Sequence, residues 1–225
     1  MPKNVLAETS ICRESAGGGA GGRRAPTTLS LGAERIIPTR PGLCIISADI
    51  GVGKTSILCG IAAALTISGQ HVLYVIGEGS REDIAGQLQA AGADASRIVL
   101  IDTVVEYADV QLLNMLAHRA IAPHLPRVDC LIVDPLATFE SDGIRRFRIR
   151  QRLAPFHRLA QRKQRPITTY FALHPNKSRR NLRQALDLVP GGWAGSVETV
   201  WQIEPSDRLG HGIVELTRAR HHPKP

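Results

Sequence analysis

Nine residues, Ala48-Asp-Ile-Gly-Val-Gly-Lys-Thr-Ser56, constrain this chain more than any other stretch, because they join an apolar run at 43–46 to a helix-forming run that begins near Gly53. In one-letter form they read ADIGVGKTS and meet the pattern G-x-x-x-x-G-K-[ST] at every fixed position but the first, where Ala48 replaces glycine. Gly51 and Gly53 let the backbone curl so that successive N–H groups point into one concavity, and the N-terminus of the following helix adds its positive dipole end. Such a loop cradles a polyphosphate. ATP is the expected ligand, held by Asp49, Ile50, Gly51, Val52, Gly53, Lys54, Thr55 and Ser56. Lys54 is expected to reach the β- and γ-phosphates, and the Thr55 hydroxyl to ligate the bridging Mg²⁺. The plainer alternative is a glycine-rich strand-to-helix turn with a chance lysine. A methyl at Ala48 is tolerable only if that residue keeps a negative φ.

At 225 residues there is room for one α/β domain with a full core and a tail. Residues 1–32 are poor in large apolar side chains and carry a glycine-rich run at 16–22, so they read as a disordered tail, leaving the domain to residues 33–225. The longest apolar candidate, 57–67, is interrupted by Gly60 and Thr66 and falls short of a membrane span. With no signal-peptide core at the start, a cytoplasmic location and no membrane partner are expected. Cys12, Cys44, Cys59 and Cys130 show no metal-ligand spacing, and three of them lie in apolar runs, which points to buried reduced thiols.

The net charge of +8 matters for where it sits. Residues 143–184 hold thirteen Lys or Arg and no Asp or Glu, and an acid-free block of that length favours a polyanion, nucleic acid before membrane. A charged face that serves only solubility is the competing account.

From residue 42 onward, β-like and helical runs alternate: 43–47 then 54–67, 71–76 then 81–91, 98–101 then 110–120, 130–133 then 149–164, and a fifth strand at 167–172. Pro155 is expected to kink or split the last helix. The alternation predicts a mostly parallel sheet flanked by helices, and two further runs at 196–203 and 212–217 predict antiparallel strands at its C-terminal edge. Ligands of such sheets gather at the carboxyl ends of the strands.

Four strand ends carry polar residues. The second runs into Glu78, whose carboxylate could polarise an attacking water, though an exposed acid in a Gly-flanked turn would look the same. The fourth is Cys-Leu-Ile-Val followed by Asp134, four apolar residues and an acid, the Walker B pattern in which the carboxylate holds the Mg²⁺ shell opposite Thr55. The fifth leads to His174, a candidate γ-phosphate sensor, and then to a basic loop containing Lys177, Arg179, Arg180 and Arg183. The last ends with Arg218 and Arg220, spaced to point to the same side and so to reach one anionic group, with a basic C-terminal fringe as the alternative.

Together these segments resemble the RecA-type P-loop ATPases, most closely the plasmid RepA hexameric replicative helicases and their AAA-type relatives. The resemblance covers roughly residues 38–222: ADIGVGKTS for the nucleotide loop, IGEGSREDIAGQLQAAGA for the segment with the catalytic glutamate, LIVDPLATF for the Walker B strand, LHPNK for the sensor. GSVETVWQI and the Arg218-Ala-Arg220 end resemble the late strands, where related ring helicases keep a Lys-x-Arg pair acting on the neighbouring subunit. The chain departs from the family at Ala48, at Leu173 where a first sensor histidine is common, and around Glu198, which lacks a basic residue. The resemblance implies a homo-oligomeric ring, hexameric in the family, single-stranded DNA as the threaded partner, and replication proteins as further partners. Glu78, Lys54, Arg218 and Arg220 become the expected catalytic set, and Lys177, Arg179, Arg180 and Arg183 the expected DNA contacts. The expectation is therefore an ATP-hydrolysing DNA motor of helicase type. Its rivals are a regulatory ATPase of the same fold that does not translocate, and a nucleic-acid-binding module with a decayed loop.

Overall fold

The computed structural model describes residues 7–10, 41–139, 149–174, 196–205 and 211–219. They form one eight-stranded sheet with the order β1-β8-β7-β2-β6-β5-β3-β4. The strands are β1 Ala7–Ser10, β2 Leu43–Ser47, β3 Val72–Ile76, β4 Ile98–Asp102, β5 Cys130–Asp134, β6 Thr168–Leu173, β7 Thr199–Pro205 and β8 His211–Ala219. The helices are α1 Lys54–Ile67, α2 Arg81–Ala90 and α3 Ile149–Ala160. The six strands from β7 to β4 run parallel, a RecA-like α/β arrangement; β8 pairs antiparallel with β7, and β1 antiparallel with β8.

β2, β3 and β5 are buried at every position, which explains why their sequences are continuous apolar runs rather than alternating ones. Alternate residues still sort between two cores. Cys44, Ile46, Tyr74, Ile76, Cys130 and Ile132 pack under α1 and α2 with Ile57, Leu58, Ile61 and Ile84. Leu43, Ile45, Leu73, Val75, Leu131 and Val133 pack on the other face with Leu153 and Phe156 of α3. A helix starts at Arg81 because the Ser80 hydroxyl accepts from the Asp83 N–H at 3.1 Å, and Gly92 takes a left-handed φ of +80° just past its end.

Four expectations change. Residues 110–120 are not an α-helix: turns surround one 3₁₀ turn, Met115–Ala117. The side chains of Asn114 and His118 bond to the local backbone, at Gln111 N–H, Asp109 C=O and Ala120 N–H, which competes with helical bonding. Val110, Leu112, Met115 and Ile121 reach the core without it. The first of the two late strands, β7, joins the sheet in parallel beside β2, so the antiparallel edge begins one strand later. Finally Ala7–Ser10, inside the segment read as a tail, pairs along β8. α3 continues through Pro155.

The register places the site. Ser47 lies opposite Leu173, Val133 opposite Phe171 and Ile76 opposite Asp134, so β2, β6, β5 and β3 end along one edge of the sheet.

Candidate functional site

The loop of residues 48–53 leaves β2 at that edge. Gly51 (φ +80°) and Gly53 (φ +102°) supply the left-handed turns that let the chain reverse into α1, whose first bond runs from Ile57 N–H to Gly53 C=O at 3.0 Å. The N–H groups of residues 54–56 precede that bond and have no intrahelical acceptor. Ala48 is fully buried, packs with Ile57 and Leu58, and donates its N–H to Leu173 C=O at 3.3 Å. Among described residues other than glycine only Arg165 has a positive φ, so Ala48 keeps the negative φ that its methyl requires.

Lys54 is 7% exposed, and its amine donates to Ala48 C=O at 2.8 Å and to Asp49 C=O at 3.0 Å. Two of its three donors thus tie it across the mouth of the loop. Burial pulls its pKa below the ordinary lysine value, while the negative charges of Asp134, Asp49 and Glu78 oppose that shift.

Across the loop, β3 runs into Gly77 and Glu78, and the Gly77 N–H donates to Asp134 C=O at 2.7 Å, locking the ends of β3 and β5 together. Glu78 is exposed, whereas Asp134 is 5% exposed. Lys54, Thr55, Glu78, Asp134 and His174, from three separate βα turns and the end of β6, line one cavity of about 220 Å³. Ile50, Gly51, Gly53 and Ser56 of the loop also form part of its wall. A cavity of about 300 Å³ between Gln70, Asp129 and Tyr170 lies at the opposite end of the strands and contains none of these residues.

Two cavity neighbours escaped the sequence reading. Gln87 of α2 lines the cavity and accepts from the Ser56 hydroxyl at 3.1 Å; it lies three residues after buried Ile84, a spacing that should have drawn it toward α1. Tyr74 donates its phenol O–H to Asp134 Oδ2 at 2.7 Å, wholly buried. The one polar tip in the run Val-Leu-Tyr-Val-Ile was the available signal, since a buried tyrosine hydroxyl requires a partner. Burial first, then the neighbouring Asp134 charge, pushes the phenol well above its ordinary pKa.

Not every expected residue joins the site. Arg218 pairs with Val200, level with Ile45 at the middle of β2 and two strands aside, and β8 runs on away from the loop edge. Arg220, Lys177, Arg179, Arg180 and Arg183 lie outside the described residues.

The fold and loop define a RecA-like P-loop protein. No family model and no curated protein matches the chain. Solved structures that it is similar to include an ATPase domain, with a TM-score of 0.61 at 13% identity over 82% of this chain and 79% of that one. Another is the flagellar accessory protein FlaH from Methanocaldococcus jannaschii, with a TM-score of 0.59 at 16% identity over 85% and 87%. At such identities the likeness is one of fold.

Proposed function

We propose that this chain is an ATP-hydrolysing RecA-fold DNA motor, a helicase or helicase-like replication protein that works as an oligomer. The observation that carries the hydrolytic part is the meeting of Lys54, Thr55, Glu78 and Asp134 around one cavity. The residues fit a Mg²⁺-bound nucleotide. Nothing lies within 4 Å of where a side chain at Gly51 would begin, so a phosphate can approach the backbone there. A hydroxyl and a carboxylate are the hard oxygen donors that Mg²⁺ takes.

In this reading the loop amides and Lys54 hold the β- and γ-phosphates, Thr55 and Asp134 hold the metal, and His174 senses the γ-phosphate. Mg²⁺, when bound, neutralises charge that builds on the phosphoryl oxygens. Glu78 orients a water for in-line attack and takes its proton, and its exposure leaves it accessible to that water. Arg218 and Arg220 act on a neighbouring copy, which agrees with the position of Arg218 away from its own loop. Lys54→Ala is expected to abolish hydrolysis stimulated by single-stranded DNA, and Glu78→Gln to slow it about 10²- to 10⁴-fold while nucleotide binding persists. Undiminished turnover in Lys54→Ala would remove the site.

The acid-free basic block supports the DNA part; α3 contributes the exposed Arg150 and Arg158 to it. Reversing the charge at Arg179 and Arg180 is expected to weaken binding of single-stranded DNA and to lower the slope of log affinity against log salt by roughly 0.7 per lost phosphate contact. Equal hydrolysis with and without DNA, together with a salt-insensitive partner, would select the regulatory ATPase instead. DNA binding without hydrolysis in the wild type would select the decayed module.

A further inference from the structure

We propose that Tyr74 is a positioning residue that holds Asp134 in the one orientation competent for the metal, and so couples α1 to β5 across the site. The inference rests on the nucleotide reading above. A carboxylate accepts through two oxygens. The Tyr74 hydroxyl anchors Oδ2 at 2.7 Å inside the protein and leaves Oδ1 free of that bond in a residue that lines the cavity. Without that bond the carboxylate could rotate about its terminal torsion, which is broad and roughly two-fold.

The placement follows from register and periodicity. Ile76 lies opposite Asp134, so Tyr74 sits two residues back on the same face, beneath the carboxylate and under α1. Cys59 of α1, packed in the same core and facing the phenol, stands one helical turn after Thr55. The phenol thus touches both the strand that carries one proposed metal ligand and the helix that carries the other. Tyrosine meets this demand where phenylalanine would only fill the space: the ring belongs to the core and the hydroxyl to the site.

The test uses Tyr74→Phe, which removes one oxygen and keeps the ring, together with Asp134→Asn and the double variant. Binding of fluorescently labelled ADP is titrated with Mg²⁺, and thermal unfolding is followed without ligand. In Tyr74→Phe the Mg²⁺ concentration that half-tightens ADP binding is expected to rise about tenfold, with metal-free ADP affinity unchanged, because removing a group that orients a ligand commonly costs 10- to 100-fold in metal affinity. In the Asp134→Asn background the same change is expected to add nothing, since the two residues act as one unit. A merely structural hydroxyl would lower the unfolding temperature, leave the Mg²⁺ midpoint within about twofold of wild type and add independently to Asp134→Asn; that result would overturn the proposal while leaving the nucleotide site intact. A wild type whose ADP binding ignores Mg²⁺ would overturn this proposal, and one that binds no ADP would overturn the nucleotide reading as well.

Discussion

A methyl group added at Gly77 would stand 2.9 Å from Cε2 and 3.0 Å from Cζ of Phe139, and 3.1 Å from Cβ of Thr138. Phe139 is buried and cannot swing away, and the Gly77 N–H is committed to Asp134. Gly77→Ala therefore forces β3 and β5 apart where Glu78 and Asp134 are set. It is expected to cost about 1–3 kcal/mol and to depress hydrolysis as well. Gly79→Ala is the control: its φ is +81° but nothing lies within 4 Å, so it is expected to cost about 1 kcal/mol through the backbone alone. Denaturant midpoints of the two variants, beside their turnover rates, check both; equal losses would mean that the Phe139 contact does not hold the strand ends. Residue-scale features were legible in proportion to how local they are. Loop glycines, Lys54 and the Ser80 cap could be read from a few neighbours in sequence. The packing that spares Ala48 and the partner of Tyr74 could not, because both depend on strands far away along the chain.

At the scale of elements, α3, β2 and β7 meet at Glu198. Its Oε2 accepts from Leu43 N–H at 2.7 Å, its Oε1 lies 3.4 Å from His157 Nδ1, and its own N–H donates to Leu43 C=O at 3.0 Å. The other ring nitrogen of His157 bonds with Ser196 C=O at 2.9 Å. Two residues after Ser196 the chain thus places an acid that joins three elements. Burial alone would raise the Glu198 pKa, but the hydrogen bonds from His157 and from Leu43 N–H outweigh it and hold the carboxyl below its ordinary 4.5. Between the folded pKa and 4.5 the unfolded chain binds more protons, so stability from this group is complete above 4.5 and is lost as pH falls through the folded value. Glu198→Gln is expected to cost about 1–3 kcal/mol at neutral pH, with the gap from wild type closing in acid. Urea midpoints at neutral pH and well below 4.5 test this, and a gap that stayed constant would refute the assignment. The sequence showed β7 as a strand but not its direction, since a β-like run is the same either way and only its seat beside β2 makes it parallel. It likewise showed buried residues at 110–120 but not their backbone, because Asn114 and His118 offer local partners that apolar spacing does not register.

Across the whole molecule, Cys44, Cys59 and Cys130 form a built-in reporter of whether the domain opens as one body. They come from β2, α1 and β5, are at most 1% exposed, and belong to the single core between the sheet and α1. Desolvation pushes the thiols of Cys44 and Cys59 up to about 12, and raises that of Cys130 too. One pH unit below the ordinary 9.0, about a tenth of a free cysteine is thiolate, whereas a pKa near 12 leaves roughly a thousandfold less. Native cysteines here are therefore doubly protected, by packing and by protonation, and alkylation requires the core to open. In a Cys12→Ser variant, which removes the cysteine outside the described residues, iodoacetamide is expected to yield molecules labelled at all three positions or at none. The labelled fraction should follow the loss of circular dichroism through a urea series. Early labelling of Cys59 alone would instead mean that α1 leaves the sheet as a separate unit. Nucleotide ties the two halves of the reading together. On the proposed function Mg²⁺·ADP would bind only the folded loop, so at a hundred times its dissociation constant it is expected to slow labelling of all three thiols about a hundredfold, provided opening is fast relative to labelling. Lys54→Ala should erase that protection, read as the ratio of its own labelling rates with and without Mg²⁺·ADP, because losing its two bonds to the loop raises the ligand-free rate as well. If Mg²⁺·ADP left the labelling rate unchanged in the wild type, the loop would be a structural turn and not a nucleotide site.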